Sequence, residues 1–117
     1  MHTAVVIEDD TLTAIMISDL LKSEGLVSKI FCSTDDAWHY CENTPPELLI
    51  FDWCVPGTIS PDILIRKIQE MDVGTRCICI SGLDTSELRQ LTGNDLAIEF
   101  MPKPVHYEQL LSDIRPS

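Results

Sequence analysis

Acidic residues, a hydroxyl and a lysine stand at the ends of successive apolar runs in this chain. Glu8 and Asp9 end the first run, Asp52 follows a Leu-Leu-Ile-Phe run, Ser81 closes another, and Lys103 follows the last. Crowded carboxylates repel one another, so such a group is favourable mainly around a hard cation. Mg²⁺ is the natural candidate and Mn²⁺ the alternative, because both accept carboxylate and carbonyl oxygens.

The same residue types suit phosphoryl transfer. That reaction needs a nucleophile aligned with the phosphorus atom and positive charge near the transferring oxygens. Asp52 can serve as the nucleophile, and a cation together with Lys103 can supply the charge. The Ser81 hydroxyl can donate to a phosphoryl oxygen once that group has arrived, which makes it a candidate sensor.

Apolar runs of strand length alternate with helical periodicity along the whole chain. Strands are predicted over 3–8, 26–33, 48–51, 76–81 and 97–101. Helices are predicted from the Asp10 cap up to Gly25, and over 34–44, 61–71, 85–91 and 106–114. Five strands interleaved with helices predict an α/β fold, a doubly wound parallel sheet with helices on both faces. Ligands of such sheets bind at the carboxyl ends of the strands, where these polar residues lie.

Local signals refine the first two helices. Asp10 is a plausible N-cap of the first helix, and Gly25 follows it where a left-handed residue is wanted. Leu12, Met16 and Leu20 recur at four-residue spacing and are expected to cover one face of the sheet. Thr34 is expected to cap the second helix.

Composition limits the class of protein. The chain has 117 residues, of which 44% are hydrophobic and 23% charged, which fits one globular domain over 1–117. Nineteen acids against eight bases give a net charge of −11, which disfavours direct nucleic-acid or anionic-membrane contact. No apolar run approaches the ~20 residues of a membrane-spanning helix, and no signal peptide is evident, so a cytoplasmic location is expected.

The five cysteines form an odd set without paired spacing. They stand at positions 32, 41, 54, 77 and 79. This arrangement indicates neither a disulfide framework nor a zinc site. Buried reduced thiols are expected, with Cys32, Cys77 and Cys79 packed in strands as small hydrophobic residues.

Taken together, these motifs resemble those of response-regulator receiver domains over essentially the whole chain. The matching segments are Glu8-Asp9, Leu48-Leu-Ile-Phe-Asp52-Trp-Cys-Val-Pro-Gly57, Ile80-Ser81-Gly82 and Lys103-Pro104. No single segment is decisive, but they occur in order, each at the end of a predicted strand. The resemblance implies the flavodoxin-like strand order 2-1-3-4-5 and a signalling phosphoacceptor that is not a turnover enzyme.

The resemblance also implies individual roles. Asp52 would be the phosphoacceptor, and it would bind Mg²⁺ together with Asp9 and the backbone carbonyl of Cys54, with Glu8 assisting directly or through water. Lys103 would contact the phosphoryl group. Ser81 and Phe100 would form the switch pair that remodels the surface around the fourth helix, fifth strand and fifth helix.

The resemblance further implies partners. The phosphoryl donor would be a sensor histidine kinase or a histidine phosphotransfer protein, and the receiver of the signal a downstream output domain or protein. A homodimer through the fourth helix, fifth strand and fifth helix is compatible with the pattern. The chain would stand alone or be excised from a longer response regulator.

Two positions depart from the common receiver pattern. The stretch Thr58-Ile-Ser-Pro-Asp62 lacks the glycine usual at the start of the third helix and is one residue longer there. An altered loop with phosphorylation retained is therefore expected. Phe100 stands where relatives often have tyrosine, and the Lys103-Pro104 bond is a candidate cis peptide.

Two other classes of function remain open from the sequence. A metal-dependent phosphatase with a nucleophilic aspartate would need a second acid two residues on, where this chain has Cys54. A receiver-like module that only docks a partner would not need Asp52, Asp9 and Lys103 together. Phosphomonoester turnover would favour the first class, and failure to accept a phosphoryl group would favour the second.

Overall fold

The computed structural model describes residues 3–92, 97–103 and 105–114, which form one five-stranded parallel sheet with helices between the strands. The strands are β1 (Thr3–Ile7), β2 (Val27–Phe31), β3 (Leu48–Asp52), β4 (Arg76–Ser81) and β5 (Ile98–Pro102). The helices are α1 (Thr11–Ser23), α2 (Thr34–Cys41), α3 (Pro61–Glu70), α4 (Thr85–Thr92) and α5 (Tyr107–Ile114). The strand order is β2-β1-β3-β4-β5, so the predicted order is confirmed.

Each face of the sheet carries its own hydrophobic core. One core joins the sheet to α2 and α3 through residues such as Ala37, Leu64 and Ile68. The other joins it to α1 and α5, through Ile17 and Leu110 among others. Helices therefore cover both faces, as the continuous apolar character of the central strands requires.

The buried face of α1 differs from the prediction. Ala14, Ile17 and Leu21 are the buried residues of this helix, whereas Leu12 is 68% exposed and Met16 is also exposed. Spacings of three and four alternate along the buried stripe, because 3.6 residues per turn make a strict four-residue spacing drift around the helix. The choice of Leu12 and Met16 as covering residues was therefore wrong, whereas Leu20 is partly buried against the α1/α5 core as expected.

The ends of the first helices follow local capping rules. Asp10 caps α1 by accepting from the Thr13 amide, and Gly25 follows the helix with φ +82°, as predicted. The N-cap of α2 is Ser33, whose hydroxyl accepts from the Asp36 amide, so the assignment of Thr34 was wrong. Thr34 is the first helical residue, and its hydroxyl donates to the Ile59 carbonyl in the loop between β3 and α3.

The cysteines are free thiols, but two of them are exposed. Cys41, Cys77 and Cys79 are buried, and burial raises the pKa of Cys41 to about 11 and those of Cys77 and Cys79 to about 12. Cys32 lies just beyond the edge strand β2 and is exposed, as is Cys54 in the loop after β3. The expectation of five buried thiols was therefore wrong for these two, because both follow the ends of strands.

Candidate functional site

Parallel register brings the polar ends of the strands together. Ile7 pairs with Phe51, so Glu8 and Asp52, each the next residue along its strand, emerge side by side. Asp52 in turn pairs with Ile80 of β4, and Ser81 pairs with Pro102 of β5, which Lys103 follows. The site thus forms at the carboxyl edge of the sheet, where the strand order reverses between β1 and β3.

Three carboxylates converge at this edge. One oxygen from each of Glu8, Asp9 and Asp52 lies within 4.8 Å of the other two. Glu8 and Asp52 are buried, with 3% and 7% of their surfaces exposed, whereas Asp9 is exposed. Hard carboxylate oxygens at this spacing, open to solvent on the Asp9 side, fit the donor set that Mg²⁺ prefers.

Lys103 spans two of the three carboxylates. Its Nζ lies 2.8 Å from Asp52 Oδ2 and 3.7 Å from Glu8 Oε2, and its amide donates to the Ser81 carbonyl at 2.8 Å. Partial burial works against the charge on Lys103, but the hydrogen bond to Asp52 and the charges of Asp52 and Glu8 outweigh it and raise the pKa of the lysine. The ammonium group is therefore held charged beside Asp52.

Ionisation of the Glu8 carboxyl group is disfavoured in this cluster. Burial raises the pKa of its carboxyl group, and the charge of Asp52 adds to that effect. The Asp10 amide, which donates to Glu8 Oε1 at 3.1 Å, and the charge of Lys103 act in the opposite direction without outweighing it. A divalent cation among these oxygens would favour the ionised form of Glu8, so the residues present fit a cation site.

The loop after β3 begins as a tight turn around Asp52. The Cys54 amide donates to Asp52 Oδ1 at 3.1 Å, and the Val55 amide donates to the Asp52 carbonyl at 3.3 Å. The Trp53 amide donates to the Ile80 carbonyl of β4. The backbone of Cys54, whose carbonyl is a ligand expected from the resemblance to receiver domains, is thereby held next to Asp52.

Ser81 and Phe100 lie on the same face of the sheet. Phe100 pairs with Cys79, which is two residues before Ser81 in β4. The buried Ser81 hydroxyl accepts from the Leu83 amide at 3.0 Å and keeps its own proton to donate. Phe100 is partly buried against the α2/α3 core, and the Arg89 guanidinium of α4 lies 4.9 Å from its ring centroid.

The remaining sequence predictions have separate outcomes. Pro104 lies outside the described residues, so the proposed cis Lys103-Pro104 bond stays a prediction. Within the parts of the chain that the structure describes, no helix combines the length and apolar character needed to span a bilayer.

The family is shown by comparison with known proteins. Residues 4–115 match the model of the response regulator receiver domain. The chain belongs to this family, the receiver domains of two-component systems.

Particular relatives agree with that assignment. The chain is 30% identical over 114 residues to response regulator RppA of Synechocystis sp., covering 95% of this chain and 48% of the relative. It therefore spans about half the length of that curated relative.

Solved structures show how widely the fold is used. Vibrio cholerae chemotaxis protein CheY4 superposes with a TM-score of 0.81 at 17% identity, covering 97% of this chain and 96% of that one. A protein from a family of streptococcal redox sensors evolved from response regulators superposes with a TM-score of 0.82 at 15% identity, covering 97% and 49%. Such likenesses show the fold alone, so the chemistry has to be argued from the site.

Proposed function

We propose that this receiver domain accepts a phosphoryl group on Asp52 in a Mg²⁺-dependent reaction and relays the signal through a change of its surface. The observation that carries the proposal is the convergence of Asp52 with Glu8, Asp9 and Lys103 at the carboxyl edge of the sheet. A buried carboxylate beside two others and a lysine is costly for a purely structural site. The same arrangement suits phosphoryl transfer, which depends on positioning and charge compensation.

The donor in this proposal is a phosphohistidine of a sensor histidine kinase or a histidine phosphotransfer protein. An Asp52 oxygen attacks the phosphorus atom, the N–P bond of the donor breaks as the O–P bond forms, and the imidazole nitrogen takes up a proton from solvent. Small acyl phosphates can replace the protein donor, with a carboxylate leaving instead of the imidazole. Leu12, Ile15 and Met16 are exposed on α1, the helix that follows Glu8 and Asp9 in the chain, and they offer an apolar face for docking the donor.

Each residue of the site has a distinct part. The Cys54 amide and Lys103 each hold one oxygen of Asp52, so the carboxylate is oriented before the donor arrives. Lys103 then pairs with the phosphoryl oxygens as charge moves onto them. Asp9, Asp52 and the Cys54 carbonyl would hold Mg²⁺, with Glu8 assisting. When bound, the ion (or Mn²⁺) neutralises charge on the transferring oxygens and lowers the repulsion among the carboxylates.

The response to phosphorylation involves residues of β4 and β5, on the other side of Asp52 from the carboxylates of Glu8 and Asp9. The Ser81 hydroxyl, which has a proton to donate, moves toward the phosphoryl group, and Phe100 on the same face repacks with it. The surface formed by α4, β5 and α5 is the output surface, and it contacts an output domain or partner or forms a homodimer. This is a population shift driven by contacts that exist only in the phosphorylated state.

The wider setting follows from the same proposal. The chain acts as a single receiver domain over 1–117, in the cytoplasm, as a phosphoacceptor and not as a turnover enzyme. Its net charge of −11 argues against direct binding of nucleic acid by this domain. Any further domain of the protein would carry the output.

Intact-mass spectrometry after incubation with acetyl phosphate and Mg²⁺ tests the proposal. We expect one phosphoryl adduct on the native protein, no adduct on Asp52→Asn, and no adduct with EDTA. Asp36→Asn, which removes an exposed carboxylate from the first turn of α2, is the matched control and should be modified normally. A folded native protein that takes no adduct in the presence of Mg²⁺ would instead favour a docking module.

A further inference from the structure

The loop between β3 and α3, residues 53–60, is tied to the first turn of α2. The Thr34 amide donates to the Pro56 carbonyl at 3.0 Å, and the Thr34 hydroxyl donates to the Ile59 carbonyl at 2.6 Å. Asp35 accepts twice from Thr58, from its amide at 2.8 Å and from its hydroxyl at 2.6 Å. Four hydrogen bonds therefore connect the start of one helix to a loop more than twenty residues further along the chain.

Close packing accompanies these hydrogen bonds. Gly57 has φ +146°, and a Cβ built on it would lie 2.0 Å from Thr34 Oγ1. Only a glycine lets the loop approach the helix this closely.

The other end of the same loop is fixed on the acceptor. The amides of Cys54 and Val55 donate to Asp52, so the first residues of the loop cannot move independently of it. Cys54 therefore lies between two anchors, with Asp52 on one side and the α2 contacts beginning at Pro56 on the other. The Thr58 end of the α2 contacts is joined to Cys54 by only three residues, Val55, Pro56 and Gly57, so a shift there can reach the Cys54 carbonyl.

We propose that Asp35 is a positioning residue for the cation site, which acts through its two hydrogen bonds to Thr58 by holding the loop that carries the Cys54 carbonyl. The inference rests on the proposed function, since it assigns a role toward the cation proposed there. Asp35 contacts none of the three clustered carboxylates among the described contacts, so its effect on the cation is indirect.

The electrostatics of Asp35 support this role. The hydroxyl and the amide of Thr58 lower the pKa of the Asp35 carboxyl, so both bonds are made to the ionised form. Hydrogen bonds to an ionised acceptor are roughly twice as strong as neutral ones. Asp36, the next residue, lines a different groove with Phe31, His39 and Tyr40, and it provides a control of equal charge.

The test is a Mg²⁺ titration followed by the fluorescence of Trp53, which lies in the loop itself. The chain has two tryptophans, so all variants are made in a Trp38→Phe background. Asp35→Ala should raise the Kd for Mg²⁺ about three- to tenfold, the range expected when charge-assisted hydrogen bonds holding one ligand are lost. Asp36→Ala removes the same charge and should change the Kd by less than about twofold.

Thr58 provides a second arm that leaves the net charge unchanged. Thr58→Ser keeps both donors and should bind Mg²⁺ like the parent, whereas Thr58→Val loses the hydroxyl donor and should shift the Kd in the same direction as Asp35→Ala. Without Mg²⁺, the Asp35→Ala protein should also exchange the Cys54 and Thr58 amide hydrogens faster, with unchanged protection in the sheet. Unfolding by urea checks that every variant is folded.

The outcomes separate the two proposals. Equal Kd values for Asp35→Ala, Asp36→Ala and the parent would overturn the positioning role while leaving the cation site intact. Equal weakening by Asp35→Ala and Asp36→Ala would also overturn it, because the effect would then be one of charge. A folded parent protein without any response to Mg²⁺ would contradict the proposed function itself.

Discussion

The loops that follow β3 and β4 flank the same acceptor but are held in different ways. The β3–α3 loop is tied to α2 by the Thr34 and Asp35 contacts. In the segment after β4, the hydrogen bonds among the described residues are local: Leu83 donates to Ser81, and Ser86 donates to Asp84. The loop after β3 is therefore fixed to α2, whereas the segment after β4 is held mainly by hydrogen bonds within its own turn.

This difference agrees with the separate roles proposed for the two segments, cation binding for the loop after β3 and switching for the segment after β4. A cation and an attacking carboxylate need ligands that are in place before the reaction, because reorganisation would add to the barrier. A switch needs a segment with a second arrangement of similar free energy. The anchored loop carries the proposed cation ligand, and the locally held segment follows the proposed switch residue Ser81.

Matched glycine substitutions give the largest expected contrast between the two loops. Gly57→Ala should lower the free energy of unfolding by about 2–4 kcal/mol, because the new Cβ meets Thr34 and the backbone has positive φ. Gly82→Ala meets nothing within 4 Å and should change it by less than about 0.5 kcal/mol. Urea unfolding of both variants measures this, and equal losses would remove the contrast.

Glu8→Gln should separate cation binding from stability. It should weaken Mg²⁺ binding about 10- to 100-fold, as loss of an assisting carboxylate does at other metal sites. Because the pKa of Glu8 is raised in the folded chain, its ionisation costs stability as pH rises through that pKa. Without Mg²⁺, the variant should therefore be the more stable protein at pH 7, and its advantage should shrink as pH falls through the raised pKa of Glu8 and be gone below the ordinary value of 4.5.

Calorimetric titration with Mg²⁺ and urea unfolding across pH check both parts of this prediction. A variant that binds Mg²⁺ like the native protein would remove Glu8 from the cation site. A loss of stability at pH 7 without the ion would show that Glu8 is held by contacts stronger than the cost of its burial.

Ser81→Ala should slow phosphorylation without weakening Mg²⁺ binding. The rate of phosphorylation by acetyl phosphate should fall about threefold to tenfold, because one hydrogen bond to the phosphoryl group is lost. The affinity for Mg²⁺ should stay within about twofold of the native value, since the anchored loop is untouched. Initial rates from intact mass and the Trp53 titration measure the two quantities, and a large loss of Mg²⁺ affinity would couple the two sides more tightly than the structure indicates.

The smallest effect is expected at the Arg89–Phe100 contact. The guanidinium lies over the ring at an exposed position, so a double-mutant cycle of Arg89→Gln and Phe100→Leu should give a coupling of about 0.5–1 kcal/mol in unfolding free energy. The coupling should decrease in the phosphorylated protein if Phe100 repacks with Ser81. An unchanged coupling after phosphorylation would argue against Phe100 as part of the switch.

Much of the fold and of the candidate site could be predicted because it depends on strand ends. Residues such as Glu8, Asp52 and Lys103 directly follow or end apolar strands, and parallel pairing alone brings them to one edge. Contacts between loops and helices that are far apart in the sequence leave no such signal. Asp35 and Asp36 look alike in the sequence, and only the path of the loop, through Gly57, directs one of them to Thr58.

Errors in the prediction share a physical cause. Predicting the buried face of α1 and the N-cap of α2 each required a choice between positions that are one to a few residues apart. Serine and threonine are both favourable N-cap residues. The Thr34 hydroxyl donates to the Ile59 carbonyl in the loop, so Ser33 caps the helix. Tertiary contacts of this kind decide between candidates that local propensity ranks equally.

Locating the phosphoryl group tests the central claim most directly. After reaction with acetyl phosphate and Mg²⁺, borohydride reduction converts an aspartyl phosphate into homoserine, which survives proteolysis and can be placed by peptide sequencing in a mass spectrometer. The account predicts homoserine at position 52 alone, and none when EDTA replaces Mg²⁺. Homoserine at Asp9 or at another aspartate, or none in a folded protein supplied with Mg²⁺, would contradict it.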